Sequence, residues 1–341
     1  MPTVWFTKGL RNTVEAIAMI KGDPRGAGLR VVASHVEPDH AVLQVGDAGW
    51  LEPVEADDEA YAAWVLETAV ASSVDLVVAQ RRPAALASWK GRFEAAGVRL
   101  SVPATADVLD RLDRKDLFAQ DMEAWGIPVA ASVPFQDVAG FDAAVEVLST
   151  DARAQAHGLC FKPVRGIYGS GFRILRAGDE FERLMKIGNL EIDPAVFRAH
   201  LAATTHPRAM VLMSLLPGVE RSVDFVVHNG TFVSGVARRK EGRHQLLEAS
   251  GPSIDVARRL SKIYNLHGVC NLQTKEADGV PHILEINPRM SGGFAMACLS
   301  GVKLPLWHVL LELGLATIDE VPQPREGMRV TRRDVAEVIV D

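Results

Sequence analysis

The chain changes rhythm near residue 105, and that change restricts its fold more than any other feature. Before it, short apolar runs alternate with amphipathic stretches. TVWFT and Lys8-Gly9 precede RNTVEAIAMIK, and LRVVASHV follows. YAAWVLETAVASS leads into VDLVVAQ, and ALASWKGRFEAAG ends at Gly97 before VRLSVP. Alternation of this kind predicts a parallel sheet with helices on its faces, because parallel strands need a long crossover. Beyond it, residues 106–125 read as one long charged amphipathic stretch closed by GIPV. Residues 129–204 mix two short strands with helical pieces such as FDAAVEVLS and FERLMKIG. From 209 onward strands dominate: AMVLMSLL, RSVDFVVHNG and TFVSGVARR. A helix, SIDVARRLSKIYN, follows, and VCNLQTK and PHILEIN then flank an Asp278-Gly279 turn. A last helix, LPLWHVLLELG, precedes a Pro-rich tail. The predicted fold class is an α/β N-terminal domain followed by an α+β portion.

A length of 341 residues suggests two or three packed units. With 48% hydrophobic residues the chain can bury a sizeable core. Its net charge of −6 argues against a nucleic-acid binder. Cys160, Cys270 and Cys298 form neither a disulfide framework nor a CxxC pair, so they read as buried thiols in a reducing compartment. Arg11, Glu15 and Lys21 interrupt the early apolar residues, which argues against a signal peptide. No apolar run approaches the ~20 residues of a membrane span. A cytoplasmic protein is expected.

Five stretches carry residues suited to chemistry. In HILEINPRMSGG, strand alternation places Ile283, Glu285 and Asn287 on one face, with His282, Leu284 and Ile286 on the other. Pro288 should end the strand. On the preceding strand Val269, Asn271 and Gln273 share a face, and an odd-length loop would bring Gln273 to the side of Glu285 and Asn287. Oxygen donors of this kind suit Mg²⁺; a solvent-facing polar strand end is the plainer reading. Next, CFKPVRGIYGSGFRIL holds Gly166, Gly169 and Gly171 between β-type runs. This predicts a hairpin whose backbone N–H groups can face phosphates, with Lys162 adding a point charge; a plain mobile turn is an equal reading. It is neither a dinucleotide fingerprint nor a Walker A loop. DRLDRKDLF reads as a helix start, and its Lys115 lies eleven residues before Gly126; a solvated lysine of a charged helix is the plainer reading. In LLPGVERSVDF, Glu220, Ser222 and Asp224 alternate outward, as on an edge strand with a polar face. Finally, Arg238, Arg239, Lys240 and Arg243 of VARRKEGRH could clamp a phosphate or carboxylate, or form a solvated loop.

The order of these features is more specific than any one of them. A lysine before G-I-P, then K-P-x-x-G-x-x-G-x-G, L-P-G-x-E, N-L-Q and E-I-N-P-R resembles the ATP-grasp superfamily. The group containing carbamoyl-phosphate synthetase large-subunit halves, biotin carboxylase and related carboxylate–amine ligases is the nearest in pattern. The resemblance covers roughly residues 105–315. It implies an α/β pre-ATP-grasp domain at 1–104, a helical linker with the first ATP lysine at 105–128, a mobile lid subdomain at 129–209, and an α+β core with the metal site at 210–341. Lys115 and Lys162 would contact ATP phosphates, as would the loop with Gly166, Gly169, Ser170 and Gly171. The hinge Met213, Ser214, Leu215 and Leu216 would meet adenine, and Glu220 the ribose. Met213-Ser214 stands where many relatives carry Glu or Gln, which puts a side-chain contact to adenine in question. Gln273, Glu285 and Asn287 would hold Mg²⁺, with Mn²⁺ as an alternative. Arg289 would stabilise transferring charge, and Arg238 and Arg239 would sit near the γ-phosphate or the acceptor.

The implied enzyme is a carbon–nitrogen ligase that phosphorylates a carboxylate with ATP, releasing ADP and phosphate as an amine attacks. The expected partners are small-molecule carboxylate and amine substrates, with no nucleic acid and no membrane; a homodimer is held open. A non-catalytic or regulatory ATP-binding protein of the same fold is the alternative, but it would not need Arg289. A dinucleotide oxidoreductase would want G-x-G-x-x-G after the first strand, which TKGLRNT lacks.

Overall fold

The computed structural model describes residues 1–9, 11–54, 57–166 and 169–333. Ile167 and Tyr168 of the glycine loop, and the tail from 334, lie outside the described residues. Strands are numbered in chain order. The first five are β1 (Thr3–Phe6), β2 (Arg30–His35), β3 (Ala48–Leu51), β4 (Leu76–Val78) and β5 (Arg99–Ser101). They pair in parallel in the order β3-β2-β1-β4-β5, as the alternation predicted. β1 is buried along its whole length, in keeping with the β-type run TVWF and its apolar Val4, Trp5 and Phe6. Val4 and Phe6 pack on one face with Ile17, Ile20, Leu306 and Trp307, while Trp5 packs on the other with Tyr61 and Phe93. β3 was not expected. Its four residues include Gly49 and alternate between partly buried and exposed, so its apolar signal is weak.

A second sheet contains β6 (Ser132–Phe135), β7 (Leu159–Pro163), β8 (Arg173–Leu175), β9 (Glu191–Ile192) and β10 (Met210–Ser214), in the order β6-β10-β7-β8-β9. The stretch before β10 therefore holds four strands rather than two. Phe135, Phe141, Phe161 and Leu212 form its core, with Phe197 against Phe161 at 4.1 Å between ring centroids. The third sheet holds β11 (Glu220–His228), β12 (Thr231–Glu241), β13 (His244–Glu248), β14 (Gly268–Ala277), β15 (Val280–Asn287) and β16 (Arg329–Val330), in the order β15-β14-β11-β12-β13-β16. β11 is thus an interior strand, and Ser222 and Asp224 are buried, not directed outward. The basic run lies in the β12–β13 hairpin rather than before a loop.

Two compact units result. One comprises residues 1–109, 221–272 and 286 onward; the other comprises 110–220 and 273–285. The stretch 106–125 is two helices, Ala106–Asp113 and Lys115–Ala124, because Arg114 is extended between them. No proline or glycine marks this break. Arg114 pairs with Asp116 at 2.6 Å, and Lys115 N–H donates to Val164 O instead of continuing a helix. The three cysteines are buried and unpaired, with burial pushing each thiol up to about 12. Among the described residues, no helix is long and apolar enough to cross a membrane.

In the first unit His228, His267 and Glu312 bring metal-ligating atoms together. The hydrogen bonds argue against a metal. His267 Nδ1 accepts the Asn229 N–H at 3.1 Å, so its Nε2 carries the proton and faces Glu312 Oε1 at 3.0 Å. A metal would need that Nε2 lone pair. Nearby, His308 Nε2 lies 2.8 Å from Ser101 Oγ. Burial brings the His308 imidazole down to about 4. Burial alone would raise Glu312, but the His267 hydrogen bond and the surrounding imidazoles bring it to about 2. The unfolded chain therefore takes up a proton at His308 near pH 6.5 and the folded chain only near pH 4. This group costs stability as pH falls across that window, whereas Glu312 acts only below pH 4.5. His308→Asn should flatten the fall in Tm between pH 6.5 and 4 in scanning calorimetry; an unchanged slope would contradict this assignment.

Candidate functional site

Most of the expected site residues belong to the second unit, and three of its elements converge. The β7–β8 hairpin forms as predicted, with Leu159 opposite Leu175 and Phe161 opposite Arg173. Gly169 and Gly171 adopt φ of 67° and 75°, backbone that favours glycine. A Cβ at Gly171 would also sit 2.9 Å from the Pro163 ring. Lys162 projects from β7, and its Nζ donates to Leu284 O at 3.2 Å, one residue before Glu285. Lys115, first residue of its helix, donates from Nζ to Gly166 O at 2.9 Å. The helix break at Arg114 is what places this ammonium against the glycine loop.

The electrostatics follow from this convergence. Burial lowers the proton affinity of Lys115, and Glu285 and Asp113 oppose the effect. Lys162 is lowered first by burial and further by Lys115, with Glu285 again opposing. Two ammonium groups thus share the field of one carboxylate, an arrangement that favours a bound anion.

Beside Lys162 lies an apolar cluster of Ala130, Cys160, Val211, Met213, Leu216 and Ala277, with Phe172, Leu215 and Leu284 against it. Three of the four hinge residues are therefore among its members. The fourth, Ser214, is turned away: its Oγ donates to Asp151 Oδ1 at 2.6 Å, while Asp151 caps the helix Ala152–His157. Ser214 has its hydroxyl engaged elsewhere, in keeping with the question raised over a side-chain contact to adenine. The Pro217-Gly218 turn is locked against β14, where Gly218 N–H donates to Glu276 O and a Cβ would sit 2.2 Å from that oxygen. Glu220 follows at the start of β11 and is partly buried.

The β14–β15 turn holds two residues, Asp278 and Gly279, with φ of 53° and 74°. Both left-handed values are those of a tight hairpin. Regular pairing carried inward from Ala277 and Val280 sets Gln273 opposite Leu284, and Ala277 and Leu284 do share one cluster. The odd-length loop that would bring Gln273 to the face of Glu285 is thus not what forms. The case for Gln273 as a ligand rests on the resemblance, not on strand parity.

Asn287, Arg289, Arg238 and Arg239 belong to the first unit. Arg289 Nη2 donates to Asn287 Oδ1 at 2.9 Å. Arg238 and Arg239 do not form a joint cationic patch, because neighbours on a strand face opposite ways. Arg239 pairs with Glu241 at 2.6 Å and lies 3.5 Å from Glu248. Arg238 is 4% exposed and donates to Asp224, Gln245, Ser222 and Ser291. With four of its five N–H groups so engaged, it has no free fork for a phosphate, whereas the expectation set it near the γ-phosphate or the acceptor. Asn12, Gln245 and Ser291 around it were not singled out from sequence, and Asn271 was named only as a face-mate of Gln273. The alternation of RSVDF offered the one available signal.

A family model described as "ATP-grasp in the biosynthetic pathway with Ter operon" matches residues 206–336. The chain is similar to the carbamoyl phosphate synthase arginine-specific large chain of Geobacillus stearothermophilus, at 26% identity over 295 residues. That match covers 84% of this chain and 26% of the relative, so the chain spans about a quarter of that protein's length. Among solved structures it resembles an ADP complex of N5-carboxyaminoimidazole ribonucleotide synthetase, with TM-score 0.65 and 15% identity over 96% of this chain and 79% of that one. It also resembles an L-amino acid ligase from Bacillus licheniformis, with TM-score 0.60 and 14% identity over 95% and 78%. At such identities these two likenesses are of fold.

The buried ammonium of Lys162 costs the folded state stability at neutral pH, since its proton affinity is lowered there. Lys162→Met should therefore leave Tm unchanged or higher while weakening Mg·ATP binding at least tenfold, about 1.4 kcal/mol, in titration calorimetry. A fall in Tm with unchanged binding would mark Lys162 as structural.

Proposed function

We propose that the chain belongs to the ATP-grasp superfamily and is an ATP- and Mg²⁺-dependent ligase joining a carboxylate to an amine. The observation that carries this reading is the convergence of Lys115 and Lys162, from a helix and a strand, on the field of Glu285 beside an apolar cluster. Adenine meets the hinge Met213–Leu216, Glu220 takes the ribose, and the two lysines hold phosphates. Backbone N–H groups of the loop with Gly166, Gly169, Ser170 and Gly171 complete the cradle. The division into segments 1–104, 105–128, 129–209 and 210–341 belongs to the same proposal.

The donor chemistry fits the metal. Glu285 and Asn287 offer hard oxygen atoms two residues apart on β15, with Gln273 as a further candidate, and such donors suit Mg²⁺ or Mn²⁺. The ion, when bound, neutralises phosphate charge. Arg289 fixes the Asn287 amide through its Oδ1 and brings a permanent cation next to it. In the reaction a substrate carboxylate oxygen attacks the γ-phosphorus and ADP leaves. The amine then attacks the acyl carbon and phosphate leaves. Lysine and arginine charge stabilises the transferring group, so no protein nucleophile is required. A cytoplasmic location is a further part of this reading, supported by the unpaired buried cysteines, and a homodimer is held open.

ADP release should be stimulated by at least one pool of amino acids or small carboxylates when the protein is screened with Mg·ATP. Glu285→Gln should abolish that release and weaken Mg²⁺-dependent nucleotide binding. No stimulation by any pool, together with unchanged binding in Glu285→Gln, would overturn the ligase. Arg289→Ala should keep Mg·ATP binding within about threefold and lower turnover at least a hundredfold, about 2.7 kcal/mol of transition-state stabilisation. Equal loss of both would contradict its role.

A further inference from the structure

We propose that Arg238 is a positioning residue whose buried guanidinium fixes the loop 288–293, and through it Arg289. This rests on the role of Arg289 proposed above. Arg238 projects from β12 into the first unit. Its Nε donates to Asp224 Oδ2 at 2.7 Å, its Nη1 to Gln245 Oε1 at 2.6 Å, and its Nη2 to Ser222 Oγ at 2.9 Å and Ser291 Oγ at 3.0 Å. The first three bonds hold the guanidinium to the sheet; the fourth reaches the loop. Ser291 Oγ also accepts the Gly293 N–H at 3.1 Å, so one hydroxyl ties the loop to the cation and to its own backbone. From the other side Asn12 Nδ2 donates to Met290 O at 3.1 Å and Ser291 O at 2.7 Å.

The support under the cation is itself built. Asn271 Nδ2 donates to Asp224 Oδ1 at 3.0 Å and to Ser222 Oγ at 2.9 Å. Asp224 is fully buried, where a carboxylate is costly unless it is paired and hydrogen-bonded, and Arg238 and Asn271 supply that pairing. Gly293 packs flat on the guanidinium: a Cβ there would stand 2.4 Å from Nη1. The loop is thus shaped to the arginine plane, as a planar cation held in place permits and a flexible ammonium does not. The sequence E-I-N-P-R-M-S-G-G reads accordingly. Arg289 sits between the end of β15 and an anchor at Ser291, and the two glycines let the chain pass over Arg238.

Removing Arg238 itself leaves Asp224 unpaired and can unfold the chain. The test therefore uses Ser291→Ala, Ser291→Thr and Gly293→Ala in the full chain. Two readouts are taken: amide hydrogen exchange of residues 289–293, and ADP release with Mg·ATP and the most stimulating amino-acid or carboxylate pool. In Ser291→Ala and Gly293→Ala, exchange in the loop should accelerate at least tenfold and kcat should fall at least tenfold. KM for Mg·ATP should stay within threefold, and Ser291→Thr should recover most of both. Unchanged loop exchange, or faster exchange with unchanged kcat, would overturn the positioning role. A wild-type chain that neither binds Mg·ATP nor releases ADP would instead overturn the ligase reading, and with it the service to Arg289; the exchange result would still decide whether Arg238 anchors the loop.

Discussion

Two ammonium groups and one carboxylate set the terms for the second unit. Lys115 and Lys162 both lose proton affinity to burial, and Glu285 opposes the loss at each. An arrangement with surplus positive charge out of bulk water is expensive without a partner. Polyphosphate is an anion that relieves it, and the surroundings suit one. The glycine loop presents backbone, Lys115 touches its first glycine, and Lys162 touches the strand that carries Glu285. The local folding serves this placement. The helix break at Arg114, the close packing of Gly171 on Pro163 and the locking of Gly218 onto β14 each position a group that the arrangement uses.

In the first unit the organising group is a different cation. Arg238 is buried and paired, with four of its five N–H groups engaged, and its energetic weight lies in what its loss would expose. Breaking a buried ion pair costs about 3–5 kcal/mol because the remaining charge is left without compensation. That cost makes the network around it hard to rearrange, and the loop that follows β15 is fastened to it. A phosphate-binding arginine must keep donors open; this one keeps them closed.

The N-terminal parallel sheet was legible because its strands are continuous apolar runs with helices between them. The glycine hairpin was legible because β-type residues flank it on both sides. Lys115, Lys162 and Glu285 were legible through order and spacing. Other features were not. The break at Arg114 depends on a long-range bond from Lys115 N–H to Val164 O, which no local pattern marks. Ser222 and Asp224 were read as outward because alternation says which residues share a face, but not whether that face is covered. Arg238 and Arg239 were read as one cluster although adjacent strand positions must diverge, so that error could have been avoided from sequence. Asn12 and Ser291 meet across 279 positions of chain, and only the fold brings them together.

The central claim is that a divalent ion and a nucleotide bind where Glu285 meets the two lysines. It is tested most directly by the anomalous scattering of Mn²⁺ in crystals of the protein grown with Mn²⁺ and a non-hydrolysable ATP analogue. The account predicts an anomalous peak about 2.1 Å from the Glu285 carboxylate, with phosphate oxygens on the same ion and Lys162 Nζ against the phosphates. A bound analogue with its phosphates away from Lys115 and Lys162, or an ion that Glu285 does not touch, would contradict it.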